Sequence, residues 1–186
     1  MEIWPIFFNL SKKKLFYIFF LLFFSLWSCE GSDQKASPPS KINLLPYHHI
    51  LGNELFGFQS YDEAIVEYKK VLEIDPNYSP AIQGIATSYL KLKKYEKAIK
   101  NWKKLLTLLT DEKQKVAIYF NIGIASFENK ERESSLFYTF KSLQLSKQYK
   151  KPRINNYAKN NLEAFKRFYN LTEMELIDII KRFEET

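Results

Sequence analysis

The sequence predicts an all-α stack of antiparallel helical hairpins, about three repeats long and closed by C-terminal capping helices. Three observations carry that expectation. The chain matches itself at an offset of 34 residues, "SYDEAIVEYKKVLEIDP" (60–76) lying over "KYEKAIKNWKKLLTLLT" (94–110). Apolar residues within each copy recur at helical spacing rather than in strand-like alternation. Gly57 and Pro76 stand where helices would have to end.

The N-terminal part does not share this pattern. Lys12, Lys13 and Lys14 precede an uncharged apolar run at 15–27 that ends in Leu26-Trp27-Ser28-Cys29. A bilayer-spanning helix needs about 20 apolar residues and a signal-peptide core about 7–15, so the run fits the second class. The lysines would stay cytoplasmic and direct the rest of the chain outward. Leu26 and Ser28 before the chain's single cysteine resemble the lipobox of bacterial lipoproteins, with Trp27 bulkier than that pattern prefers. The resemblance implies a signal peptide over 1–28, acylation of Cys29 and attachment to a membrane of the bacterial envelope, inner or outer. An uncleaved anchor, lengthened by the apolar stretch at 3–8, is the other reading. Residues 30–40, "EGSDQKASPPS", are small, polar and proline-bearing, so 29–44 is expected to be a lipidated cysteine and a flexible tether with a reach of about 20 Å.

The repeats are expected over 45–149. Leu51-Gly52, Leu55, Ala64, Tyr68 and Val71 of the first (45–78) recur as Ile85-Ala86, Tyr89, Ala98, Trp102 and Leu105 of the second (79–112). Small residues at Gly52 and Ala64 allow two helices to approach, and Tyr68 and Leu55 fill the space beside them. A third, degenerate copy (116–149) aligns after an insertion of three residues, with Ile122-Gly123 at the small-residue site, Ser135 at the alanine site and Thr139 at the aromatic site. Asp111 with Gln114 is placed to form a capping box at its start. The remainder, 150–186, holds an amphipathic helix at 152–168 and a last one opened by Thr172 and Glu175, either a fourth pair or a cap.

These repeated residues resemble the tetratricopeptide repeat. The resemblance implies a concave face, lined by the first helix of each hairpin, on which relatives bind peptides. Alignment places His49, Asn53 and Phe56 of the first repeat there, Gln83, Thr87 and Leu90 of the second, and Phe120, Ile124 and Phe127 of the third. Some relatives grip a C-terminal carboxylate with lysines and asparagines at such positions. Here only Asn53 matches, while His49, Gly84, Ala117 and Asn121 stand at the others, which argues against capture of a carboxylate tail. The groove would grade from polar at the first repeat to apolar at the third. It is either open to an amphipathic or extended apolar segment or filled by the C-terminal helices.

Charge and reactive residues narrow the function. The chain carries +7, of which +5 belongs to residues 29–186, a mild basic bias. Lys93, Lys97, Lys100 and Lys104 are spaced to share one helix face, which would be either a solvated surface or a contact for anionic lipid. Export past a membrane argues against a nucleic-acid partner. His48 and His49 diverge by about 100° on a helix, so they are poorly placed to chelate one ion, and one is expected to pack while the other faces solvent. No catalytic, nucleotide-binding or metal-binding motif is recognisable. The expected role is therefore that of a membrane-anchored interaction scaffold or assembly factor, with a protein or peptide partner, no enzyme activity, no cofactor and no metal. The alternative is a structural or surface-exposed lipoprotein with a self-occluded groove, touching envelope or host material through its basic face.

Overall fold

The computed structural model describes residues 41–185, all within one unit, Pro39–Thr186. The lysine cluster, the apolar run, Cys29 and the tether up to residue 40 lie outside the described residues. Eight helices follow in order among those described: α1 (Lys41–Gly57), α2 (Tyr61–Ile74), α3 (Ser79–Lys91), α4 (Tyr95–Leu108), α5 (Glu112–Glu128), α6 (Arg132–Gln148), α7 (Pro152–Phe168) and α8 (Glu173–Glu184). Helix α1 thus begins within the stretch assigned to the tether, at Lys41 rather than after residue 44.

Each helix from α1 to α6 packs on the next. First helices also meet one another, α1 against α3 and α5 against α7. The result is an all-α solenoid of three hairpins. The C-terminal helices do not form a fourth. Helix α7 takes the next first-helix place beside α5, and α8 lies back on α6, so the two act as a cap. Leu136 of α6, Leu162 and Phe165 of α7, and Leu176, Ile179 and Ile180 of α8 close this end in one apolar cluster.

The spacing of the sequence repeat is reproduced in side-chain contacts. Tyr68, Trp102 and Thr139, which are 34 and 37 residues apart, are all almost fully buried at the same place on the second helices. Tyr68 inserts between two first helices at glycines. A Cβ added to Gly52 of α1 would come within 2.7 Å of its ring, and one added to Gly84 of α3 within 2.6 Å. Thr139 lies against Gly123 in the same manner, where an added Cβ would meet its Oγ1 at 2.3 Å. The three inserted residues appear as an extra turn of helix: α5 has 17 residues where α3 has 13, and the loop before it is shorter.

The hairpin turns follow the same period. Gln59, Lys93 and Lys130 have φ of 64°, 57° and 62°, and Lys150 and Asn170 follow at 51° each. Every one closes a helix in the same way. The Lys93 N–H donates to the Leu90 carbonyl and the Lys94 N–H to the Tyr89 carbonyl, both at 2.9 Å, with equivalent pairs at the other four turns. This is the Schellman arrangement, which usually has glycine at the left-handed residue. None of these five turns has one there.

Helix starts are less regular. At α8, the Thr172 Oγ1 accepts from the Glu175 N–H at 3.3 Å and the Glu175 carboxylate accepts from the Thr172 N–H at 2.8 Å, a complete capping box. At α5 the expected box does not form. Asp111 Oδ1 accepts instead from the Lys113 N–H at 2.9 Å, and the Gln114 N–H goes to the Asp111 carbonyl. A two-residue reach satisfies the aspartate and leaves nothing for Gln114 to complete.

Two stability measurements check this account. Gly84→Ala should lower the stability of the folded chain by about 1–3 kcal/mol in urea denaturation, because a methyl at this site must displace the buried Tyr68 ring. Lys130→Gly should raise it by about 0.5–1 kcal/mol, since relief of left-handed strain exceeds the entropy glycine adds to the unfolded chain.

Candidate functional site: the concave groove

The first helices of the first two hairpins enclose a cavity of about 330 Å³. Its walls are His49, Asn53 and Phe56 of α1 and Gln83 and Thr87 of α3, and its floor is Tyr68 with Gly84. Pro80 and Gln83 also border a second cavity of about 410 Å³, which reaches Gln114, Ala117 and Asn121 of α5. The two cavities adjoin at Pro80 and Gln83 and together form a trough across three first helices.

The floor of this trough is the same Tyr68 that locks α1 and α3 together. Its hydroxyl donates to Asn53 Oδ1 at 2.8 Å, and burial pushes the phenol above its ordinary value, so the proton stays in place at neutral pH. The bond takes one of the two lone pairs of the Asn53 carbonyl and leaves its Nδ2 hydrogens free to donate. Thr87 spends its hydroxyl proton on the Gln83 carbonyl at 2.8 Å and presents lone pairs instead. His49 packs its ring edge-on to Tyr78, with centroids 5.3 Å apart, beside the Tyr68 ring at 6.1 Å.

His48 faces the second helix. Its Nδ1 lies 2.6 Å from Glu67 Oε2, and Lys70 Nζ donates to the other oxygen at 2.7 Å. Neither histidine therefore stands free in solvent as expected of one of them: one joins α1 to α2 and the other lines the trough. Burial alone would push the Glu67 carboxyl up, but the hydrogen bonds from Lys70 and His48 outweigh it and hold the group below its ordinary 4.5.

Five of the nine residues aligned to the groove meet in the first cavity. The other four have different surroundings. Leu90 is half-buried against the cluster of Trp102, Ile99 and Ala86. Phe127 stacks on Phe165 of α7 with centroids 4.0 Å apart and meets Phe168 edge-on at 5.1 Å. Phe120 has the Tyr157 ring at 6.4 Å, and Ile124 between them is half-buried. Helix α7 thus covers the aromatic end of the groove and leaves open the part that carries the carboxamides, together with Leu105, Leu109 and Ile118.

The lysines separate in a comparable way. Lys97, Lys100 and Lys104 are exposed on α4, but Lys93 is not on that helix; it is the left-handed residue of the preceding turn. Lys104 Nζ donates to the Pro76 carbonyl at 3.0 Å, and Lys97 Nζ sits 5.7 Å above the Tyr89 ring. These contacts tie two of the three α4 lysines to their own scaffold.

One structural device was missed in the sequence. Ser135, Thr139, Ser142 and Ser146 follow spacings of four, three and four on α6 and are all fully buried. Ser142 Oγ donates across the hairpin to the Val116 carbonyl at 3.0 Å. Small hydroxyl side chains pack the third hairpin closely where the others use aromatics. Their helical spacing was the available signal, concealed because a buried face made of serine does not read as apolar.

Among the described residues, no group of three or more His, Cys, Asp or Glu could hold a metal ion, and no helix is long and apolar enough to cross a membrane. Residues 55–120 match the family model described as tetratricopeptide repeat. A comparison with curated proteins finds no significant match. Among solved structures, the chain is similar to the first TPR of Spaghetti (RPAP3) bound to an HSP90 peptide, with 23% identity, 69% of this chain and 94% of that chain covered, and a TM-score of 0.59. The second TPR domain of human RPAP3 in complex with an HSP70 peptide gives 21% identity, 68% and 98% coverage, and a TM-score of 0.58. The type III secretion translocator chaperone SycD of Yersinia enterocolitica gives 16% identity, 72% and 90% coverage, and a TM-score of 0.62.

The Glu67 pair makes a pH-dependent prediction. A lowered carboxyl stabilises the fold above its unfolded value of 4.5, and that contribution is lost as the pH falls through the lower folded value. Glu67→Gln should therefore cost about 1–2 kcal/mol at neutral pH. Urea titrations should show the gap between variant and parent shrinking as the pH falls below 4.5 and closing beneath the lower folded value, where the parent also carries a neutral side chain.

The described residues thus fold as an all-α solenoid of helical hairpins similar to tetratricopeptide repeat structures, with a groove that is open from α1 to the middle of α5 and covered beyond it by α7.

Proposed function

We propose that the chain is a membrane-anchored lipoprotein of the bacterial envelope, held by an acylated Cys29, whose repeats bind a segment of a partner protein. The observation that carries the binding role is the open trough lined by Asn53, Gln83 and Asn121, one residue from each first helix. Solved structures of the same fold include complexes with peptides and a secretion chaperone, which supports a binding rather than a catalytic role. The anchor rests on the sequence alone: a signal-length apolar run ends at the single cysteine, followed by a polar tether. Such a tether would hold the solenoid near the membrane and leave it free to turn toward a partner.

Photo-crosslinking in intact cells tests the binding role. Probes at Asn53 and Gln83 should trap the same second protein, whereas a probe at Phe120 should give adducts within the chain, around Tyr157. Adducts only within the chain at all three positions would overturn an open groove. Mass analysis of the membrane-extracted protein tests the anchor: cleavage before Cys29 with added acyl chains is expected, and an intact Met1 would refute it.

A further inference from the structure

We infer that the trough recognises an extended, uncharged peptide segment through its main chain, and does not recognise an acidic tail. This deepens the proposed binding role and rests on it. The first observation is the absence of charge. Asp, Glu, Lys and Arg make up 26% of the chain, yet none of them lines either of the two joined cavities. A carboxylate laid in this trough would lose part of its hydration without gaining a cationic partner, at a cost that grows with its burial. An uncharged segment carries no such penalty.

The second observation is the kind of polar group present. Each first helix contributes a carboxamide: Asn53 from α1, Gln83 from α3 and Asn121 from α5, with Gln114 beyond it. A carboxamide has the same donor and acceptor as a peptide group, so it can pair with both the N–H and the C=O of a bound backbone. At Asn53 the Tyr68 hydroxyl holds Oδ1 and so fixes the amide, whose Nδ2 hydrogens are left to donate to a backbone carbonyl. Thr87 is set the opposite way: with its proton given to the Gln83 carbonyl, its lone pairs select a backbone N–H. A fixed donor and a fixed acceptor from neighbouring helices suit an extended chain whose carbonyls and amides alternate.

The third observation is the closed end. The rings that would reward a hydrophobic helix, Phe120 and Phe127, are engaged by Tyr157 and Phe165 of α7. What remains open spans three first helices. With neighbouring axes about 8–10 Å apart this is roughly 20 Å, which an extended segment covers in about six residues.

The test is selection of displayed random hexapeptides on the immobilised full chain in detergent, followed by an N-methyl scan of the best binder. Enriched sequences should be poor in Asp and Glu and should bind equally well with a blocked C-terminus. N-methylation at alternate positions should weaken binding at least tenfold, as should Gln83→Leu, an exposed change that leaves the core intact. Asn53→Asp provides an independent check: a charge in the trough should abolish binding of the uncharged peptides. Enrichment of acidic sequences, or of sequences requiring a free C-terminus, would overturn this inference and leave the peptide groove standing. Indifference to every N-methyl position would likewise overturn it. Failure of any hexapeptide to be enriched would overturn the inference together with the groove itself.

Discussion

The structure depends on one contact: the Tyr68 ring held between Gly52 and Gly84. Two first helices can lie beside one second helix only if neither presents a Cβ to that ring, and both glycines meet the condition. The contact sets the spacing of α1 and α3, and with it the width of the trough between them. Its hydroxyl end emerges at the trough floor and fixes the orientation of Asn53. Core packing and ligand chemistry are therefore properties of one side chain, and disturbing either disturbs the other.

The same place on the other hairpins is filled differently, with local consequences. Trp102 opposite Ala86 is wholly buried and leaves its indole N–H without a hydrogen-bond partner, so it contributes bulk but no polar group to the concave surface. Thr139 opposite Gly123 is smaller still, and α5 and α6 close up around it through a stripe of buried serines. Polar definition of the groove is strongest at the first hairpin, where Tyr68 supplies it. At the third, the aromatic residues that remain on α5 are covered by α7. Filling this end closes the core, because a solenoid must shield its last apolar face from water.

The turns are a second constraint, independent of the core. Five left-handed residues other than glycine each cost local strain, but they recur with the register of the helices. The hydrogen bonds of the Schellman closure satisfy the carbonyls that a helix end would otherwise leave unpaired. The three lysines among these residues, Lys93, Lys130 and Lys150, also place charge at the edge of the solenoid. Lys93 belongs to this set, which is why it departs from the lysine stripe on α4.

Much of the fold was legible in the sequence because its controlling contacts are local and periodic. Gly52, Ala64 and Tyr68 repeat as Ala86, Ala98 and Trp102, and helical spacing alone puts them on facing surfaces. The Thr172–Glu175 cap was legible for the same reason, since both partners lie within one turn. Five groove residues could be placed from register, because register determines which way a helical side chain points. Tertiary structure alone decided the rest. No spacing rule shows that α7 would lie beside α5 and cover Phe127, or that α8 would fold back on α6, because these contacts depend on where the chain turns after Gln148. Nor could the sequence show that the Asn53 amide would be held by its Oδ1, for that follows from a hydroxyl fifteen residues away arriving between two helices. Periodicity determines the faces of helices; which faces remain open is determined by what folds against them.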